Sequence, residues 1–144
     1  MRIFVYGTLK RGEHAAFMMA ECVYKGQASI EGTLYGFGHF PGVKLGGEDV
    51  VPGEVYELPA DKEARERILA RLDRYEGCPR LYRRVETLAR LDYEEPEFDN
   101  FDSPVQTYEY VPEVREEWLI PSGVFTTIPQ QERLVYEQAV QDGS

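Results

Sequence analysis

Apolar and polar positions alternate with the two-residue period of a half-buried strand in "YRRVETLARLD" (82–92). Val85, Thr87, Ala89 and Leu91 fall on one side, and Arg84, Glu86 and Arg90 on the other. Residues 2–6 are denser: Ile3, Phe4, Val5 and Tyr6 are β-branched or aromatic without interruption, which suits a buried strand. From Val23 to Leu58 the pattern stays strand-like but is broken by recurrent glycines, in "SIEGTLYGF", "FPGVKLGG" and "VPGEVYELP", as where strands bend or meet in tight turns. One segment has helical periodicity. In "PADKEARERILARLDRYEG", Ala64, Ile68, Leu72 and Tyr75 form a single apolar stripe with Leu69 beside it. Asp61 suits the N-cap, Glu63 the first turn, and Gly77 and Pro79 the stop.

The remaining segments have weaker patterns. "EHAAFMMAE" (13–21) predicts a short helix that packs Phe17 and Met18 inward. "YEEPEFDNFDSP" (93–104) is acidic and turn-rich and reads as a solvated loop, after which "VQTYEYV" resumes a strand. Thr127 and Gln130 fit a capping box that opens a last helix through "QERLVYEQAVQ", closed by Gly143. Many bent strands with a helix inserted midway and another at the end predict an α+β fold with a curled or barrel-like sheet.

Bulk composition narrows the function. The 144 residues suffice for a single domain (1–144) with a proper core, to which ten Tyr and seven Phe contribute. A formal net charge of -10 argues against nucleic acid and against an anionic membrane surface as partners. "MRIFVYG" carries no long apolar run or cleavage site, so a cytoplasmic location is expected. Cys22 and Cys78 lack CxxC spacing and are expected to be reduced thiols. His14 and His39 are the only histidines, which leaves few parts for a zinc site or a Ser-His-Asp triad. Chemistry here would run on carboxylates, tyrosines and backbone groups, with no metal or cofactor expected.

Two stretches could carry it. In "FVYGTLKRG" a strand ends in Gly-Thr, where consecutive backbone N–H groups can cradle a carboxylate or phosphate, or simply turn the chain. Gly7 would let a ligand approach the main chain. In "RYEGCPRLYRR" (74–84), Glu76 stands at a helix C-terminus, where the dipole disfavours negative charge and burial would raise its pKa towards that of a general base. Its alternative is a surface ion pair with Arg80, Arg83 or Arg84. Cys78 is either a nucleophile or a small buried thiol.

Together, "FVYGTLKRGEHA", "VPGEVYEL" and "LDRYEGCPRLYRRVE" resemble the γ-glutamylcyclotransferase-like family, in its AIG2-like or γ-glutamylamine cyclotransferase branch. The resemblance spans most of Arg2–Leu91 and continues only loosely into "TYEYV". It implies a small mixed β-barrel flanked by helices and the cofactor-free release of 5-oxoproline from a small γ-glutamyl compound. By that resemblance, the amides of Tyr6, Gly7, Thr8 and Leu9 hold the substrate α-carboxylate and Glu76 is the general acid/base. Tyr82 and Arg84 match a Tyr-x-Arg motif that shapes and braces the pocket. A non-catalytic small-molecule binding or interaction module on the same fold is the alternative, and a thiol hydrolase using Cys78 a third reading. Where the family often closes its last strand with a Gly-Asp-Trp-like segment, this chain has "IPSGVFTT", with Trp118 earlier.

Overall fold

The structure, a computed structural model, describes residues 1–92 and 102–126. Among these residues five strands and one α-helix follow in the order β1 (Arg2–Val5), β2 (Val23–Phe37), β3 (Phe40–Glu57), α1 (Lys62–Glu76), β4 (Tyr82–Leu91) and β5 (Asp102–Tyr110). The sheet closes into a barrel in the order β1-β3-β2-β4-β5, with a further β3–β5 pairing. β2–β3, β1–β3, β2–β4 and β4–β5 are antiparallel. The closing pairs β1–β5 and β3–β5 are parallel and have one registered residue pair each, Ile3↔Gln106 and Val43↔Glu109. The expected α+β barrel is therefore present, and no helix among the described residues is long and apolar enough to cross a membrane.

β1 shows why its residues are uninterruptedly apolar. Ile3 and Val5 point to one cluster, which packs against Ile68, Leu69 and Leu72 of α1. Phe4 and Tyr6 point the other way, into the barrel interior with Ile30, Leu34, Val43, Val55 and Val105. A strand covered on both faces needs no polar alternate positions. Each large aliphatic side chain buried at the α1 interface contributes about 1.5–3 kcal/mol.

The strand-like segments between Val23 and Glu57 form one long hairpin, not a series of broken strands. β2 and β3 pair from Val23↔Glu57 to Phe37↔Phe40 across the two-residue turn Gly38-His39. The register shifts between Glu31 and Gly32, whose partners are Val50 and Leu45, so residues 46–49 bulge out of β3.

α1 is capped as its sequence predicts. The Asp61 carboxylate accepts from the Ala64 N–H at 2.9 Å, and Gly77 takes the left-handed conformation (φ 70°) that ends the helix. Three expectations need correction or fall outside view. Residues 13–21 form only a short 3-10 turn at Ala16–Met19; Met18 is buried, but Phe17 is 75% exposed because the turn is too short to bring both side chains inward. Asp102–Pro104, expected in the acidic loop, already pair with β4 as the start of β5. The rest of that loop (93–101) and the terminal helix with its capping box lie outside the described residues.

Candidate functional site

The end of β1, the tip of the β2–β3 hairpin and the end of α1 meet around a cavity of about 320 Å³. Residues 6–9 and Glu76 both line it, so the two stretches singled out in the sequence converge on one space. The remaining walls are apolar or aromatic: Phe37, Phe40 and Pro41 from the hairpin, Leu81 and Tyr82 from the start of β4, and Tyr108 and Tyr110 from β5. Among the described residues that line the cavity, Glu76 is the one that carries a charge.

Glu76 is the last residue of α1, and Gly77 turns the chain away immediately after it. None of the arginines that could have paired with it does so. Arg83 binds Glu109 at 2.6 Å, Arg84 binds Asp73 at 3.0 Å, and Arg80 makes no ion pair among the described residues. The Glu76 carboxylate has no hydrogen-bond or ionic partner there either. Burial alone lifts its pKa from 4.5 to about 7. A carboxyl in that range can exchange a proton in both directions at neutral pH.

The 6–9 segment supplies the complementary surface. The carbonyls of Gly7 and Thr8 accept from Lys10 N–H and Ala15 N–H, which fixes the turn. The N–H groups of Gly7, Thr8 and Leu9 find no protein acceptor among the described residues, although Thr8 and Leu9 are only 6% and 3% exposed. Three consecutive unpaired amides beside a cavity have the chemistry to receive an anionic group. The Thr8 hydroxyl bonds to the Tyr75 hydroxyl at 2.8 Å, tying this turn to the last turn of α1. Gly7 is required by packing: a Cβ there would lie 2.5 Å from Pro41 Cγ, in the opposite wall. Gly7 also lines the cavity, so the missing side chain leaves room for the hairpin on one side and keeps the main chain beside the open space.

Tyr6 and Tyr82 line the cavity, but their hydroxyls are committed to the fold. The Tyr6 hydroxyl donates to the Tyr108 carbonyl at 2.5 Å and accepts from Val43 N–H at 3.2 Å. The Tyr82 hydroxyl donates to the Pro41 carbonyl. Burial first, and neighbouring acidic groups second, push both phenols up, so neither ionises near neutrality. Arg84 does not line the cavity. Its guanidinium forks onto Asp73 (3.0 and 3.3 Å), whose Oδ1 also accepts from the Tyr108 hydroxyl at 2.6 Å. This network ties α1, one turn before Glu76, to β4 and β5. Cys78 also stays outside the lining; burial, then Asp73 and Glu76, push its thiol up, away from a reactive thiolate.

The aromatic wall was not singled out in the sequence. Its signal was present in "FGHF", where two aromatics flank a two-residue turn and so must face each other across a hairpin. That the tip folds over the end of β1 depends on barrel closure, which local pattern does not encode.

Comparison with known proteins places the chain in a family. The family model described as "Gamma-glutamyl cyclotransferase, AIG2-like" matches residues 3–127. A γ-glutamylcyclotransferase family protein of Citrobacter rodentium is 41% identical over 59 residues, 40% of this chain and 51% of that protein. The γ-glutamylaminecyclotransferase of Rattus norvegicus is 34% identical over 101 residues, 62% of this chain and 63% of that protein. The chain thus spans between half and two thirds of the length of these relatives. Among solved structures, an AIG2-like protein of Mus musculus matches with a TM-score of 0.71 at 25% identity over 91% of both chains. An uncharacterised protein of Pyrococcus horikoshii matches at 0.65 and 27% identity over 96% of this chain and 97% of that one. With the family model covering nearly all of the described residues and the barrel shared, this chain belongs to the γ-glutamyl cyclotransferase, AIG2-like family.

Proposed function

We propose that the protein is a cyclotransferase that releases 5-oxoproline from a γ-glutamyl amine, with Glu76 as general acid/base and no protein nucleophile. The observation that carries this reading is the meeting of a lone carboxyl, poised near pH 7, with three unpaired amides across one cavity. The amides of Gly7, Thr8 and Leu9 bind the substrate α-carboxylate. Held there, the flexible γ-glutamyl chain folds so that its α-nitrogen faces its own γ-carbonyl carbon, the source of most of an intramolecular rate advantage. Glu76 takes a proton from the α-ammonium, and the freed amine attacks the carbonyl carbon. The new carbon–nitrogen bond closes the five-membered ring. As the bond to the departing nitrogen breaks, Glu76 gives that proton to it, then takes the second proton from the ring nitrogen and passes it to the released amine. The two protons lost by the α-ammonium thus leave on the departing ammonium, and Glu76 is regenerated as a carboxylate. A raised pKa serves both halves, since the same group must first be a base and then an acid.

The test is incubation with a panel of γ-glutamyl amides, scored for 5-oxoproline. Turnover is expected, and Glu76→Gln is expected to lower kcat by about 10²–10⁴-fold with KM little changed, because shape is kept and only the proton acceptor is lost. Normal ligand binding with no 5-oxoproline from any substrate would leave a binding module and end the catalytic reading.

A further inference from the structure

We infer that the leaving amine of the substrate carries an uncharged, apolar substituent, alkyl or arylalkyl, received by the aromatic wall at the cavity mouth. This rests on the proposed cyclotransferase reading and names the substrate class of that site. The γ-glutamyl half is accounted for by the amide turn and Glu76, so the departing group must lie along the remaining wall. Its lining rings are in contact with one another: Tyr82 meets Tyr110 edge-on at 5.4 Å and Tyr110 meets Phe37 at 4.5 Å. Trp118, outside the lining, backs Phe37 at 5.4 Å. Phe40 and Leu81 line the cavity yet are 53% and 51% exposed, which places apolar side chains at its open edge.

A leaving group bearing its own charge finds no counterpart there. Beyond Glu76 no charged side chain lines the cavity among the described residues. The neighbouring cation, Lys44, is drawn away to the carbonyls of Tyr110 and Val111 at 2.7 and 3.1 Å. A peptide-type leaving group, with its carboxylate beside the amine, would set that carboxylate against aromatic carbon and near Glu76. An apolar tail instead removes Phe40 and Leu81 from water, and each methylene buried is worth about fourfold in affinity.

The decisive measurement is kcat/KM for γ-glutamyl methylamide, propylamide, hexylamide and phenethylamide, with γ-glutamyl-ε-lysine as a charged amide of comparable length. Simple alkylamines differ little in basicity, so the chemical step is nearly constant across that series. The expected result is a rise of about tenfold or more from methyl to hexyl or phenethyl, expressed mainly in KM, with the lysine compound below both. Phe40→Ala should lower the phenethylamide-to-methylamide ratio by about fivefold or more, and Phe40→Glu should shift preference towards the lysine compound. A flat series, or the lysine compound ahead of phenethylamide in an enzyme that still needs Glu76, would overturn this inference and leave the cyclotransferase reading intact. Should no amide be turned over, calorimetric titration with intact γ-glutamyl phenethylamide and methylamide still decides the wall: tighter binding of the phenethylamide that Phe40→Ala weakens supports it, and equal binding of the two, or none, refutes it.

Discussion

At the scale of single residues, Glu76 sets the most direct predictions. Its carboxyl has no partner among the described residues, and burial lifts its pKa to about 7. In the proposed role of base it must start ionised, so kcat/KM should rise with pH through about 7 and fall about tenfold per unit below it. A pH–rate profile checks this, and a limb centred near 4.5 would mean that the carboxyl is not buried during turnover. The same shift has a stability consequence. In the native protein the proton is held more tightly than in the unfolded chain, so the associated stabilisation is complete below about pH 4.5 and lost as pH rises through about 7. Above that, the fold carries a half-buried charge costing at most about 3 kcal/mol. Glu76→Gln should therefore melt about 5 °C or more above the parent at pH 8, and within about a degree of it at pH 4.5. A variant that gains stability where it loses activity is the signature of a site held in the fold for chemistry. The sequence showed where this carboxylate stands relative to its helix; that Arg83 and Arg84 would choose other partners depended on β5, which supplies Glu109 and Tyr108.

At the scale of elements, α1 and β4 were legible because their periodicities differ and each has its own punctuation. The Asp61 cap, the Ile68–Leu72 face and the Gly77 stop all read locally and all hold. The 13–21 segment failed because its apolar run is too short to outweigh a turn fixed by Thr8 and Lys10 carbonyls. Arg84 shows the boundary between the two cases. Its place in the Tyr-x-Arg motif was visible, but not its direction, since a strand side chain one register from Tyr82 could reach either the cavity or the helix. It reaches the helix, where its fork on Asp73 sets the last turn of α1 and hence Glu76. Arg84→Lys keeps the charge but not the paired geometry. It should lower kcat about tenfold or more while KM moves less, since the amide turn and aromatic wall are untouched. Equal losses in kcat for Glu76-dependent turnover and in substrate affinity would instead place the guanidinium at the substrate.

At the scale of the whole molecule, the barrel closes along a seam that backbone pairing alone barely holds. β3 and β5 share a single registered pair, Val43↔Glu109, and side chains complete the join. Burial opposes ionisation of Glu109, but the Leu45 N–H at 2.8 Å and Arg83 hold its pKa below the usual carboxylate value. Lys44 reaches across to the Tyr110 carbonyl, and the Tyr6 hydroxyl links the Val43 amide to the Tyr108 carbonyl. The cavity opens beside this seam, with Pro41 on one side and Tyr108 and Tyr110 on the other. Tyr6 is thus both a residue of the motif at the start of the chain and the strut that spans the closure. Tyr6→Phe separates those roles. It preserves the ring packed with Phe4 but leaves the fully buried Val43 N–H without its acceptor, a cost of about 1–3 kcal/mol. The melting temperature should fall by about 4–10 °C. Because the hydroxyl is already occupied by Val43 and Tyr108, KM for a γ-glutamyl amide should change less than threefold at a temperature where the variant is folded, roughly 0.6 kcal/mol or less. An unchanged melting temperature with a tenfold rise in KM would show that the phenol serves the ligand and that the seam is held by Glu109 and Lys44 without it.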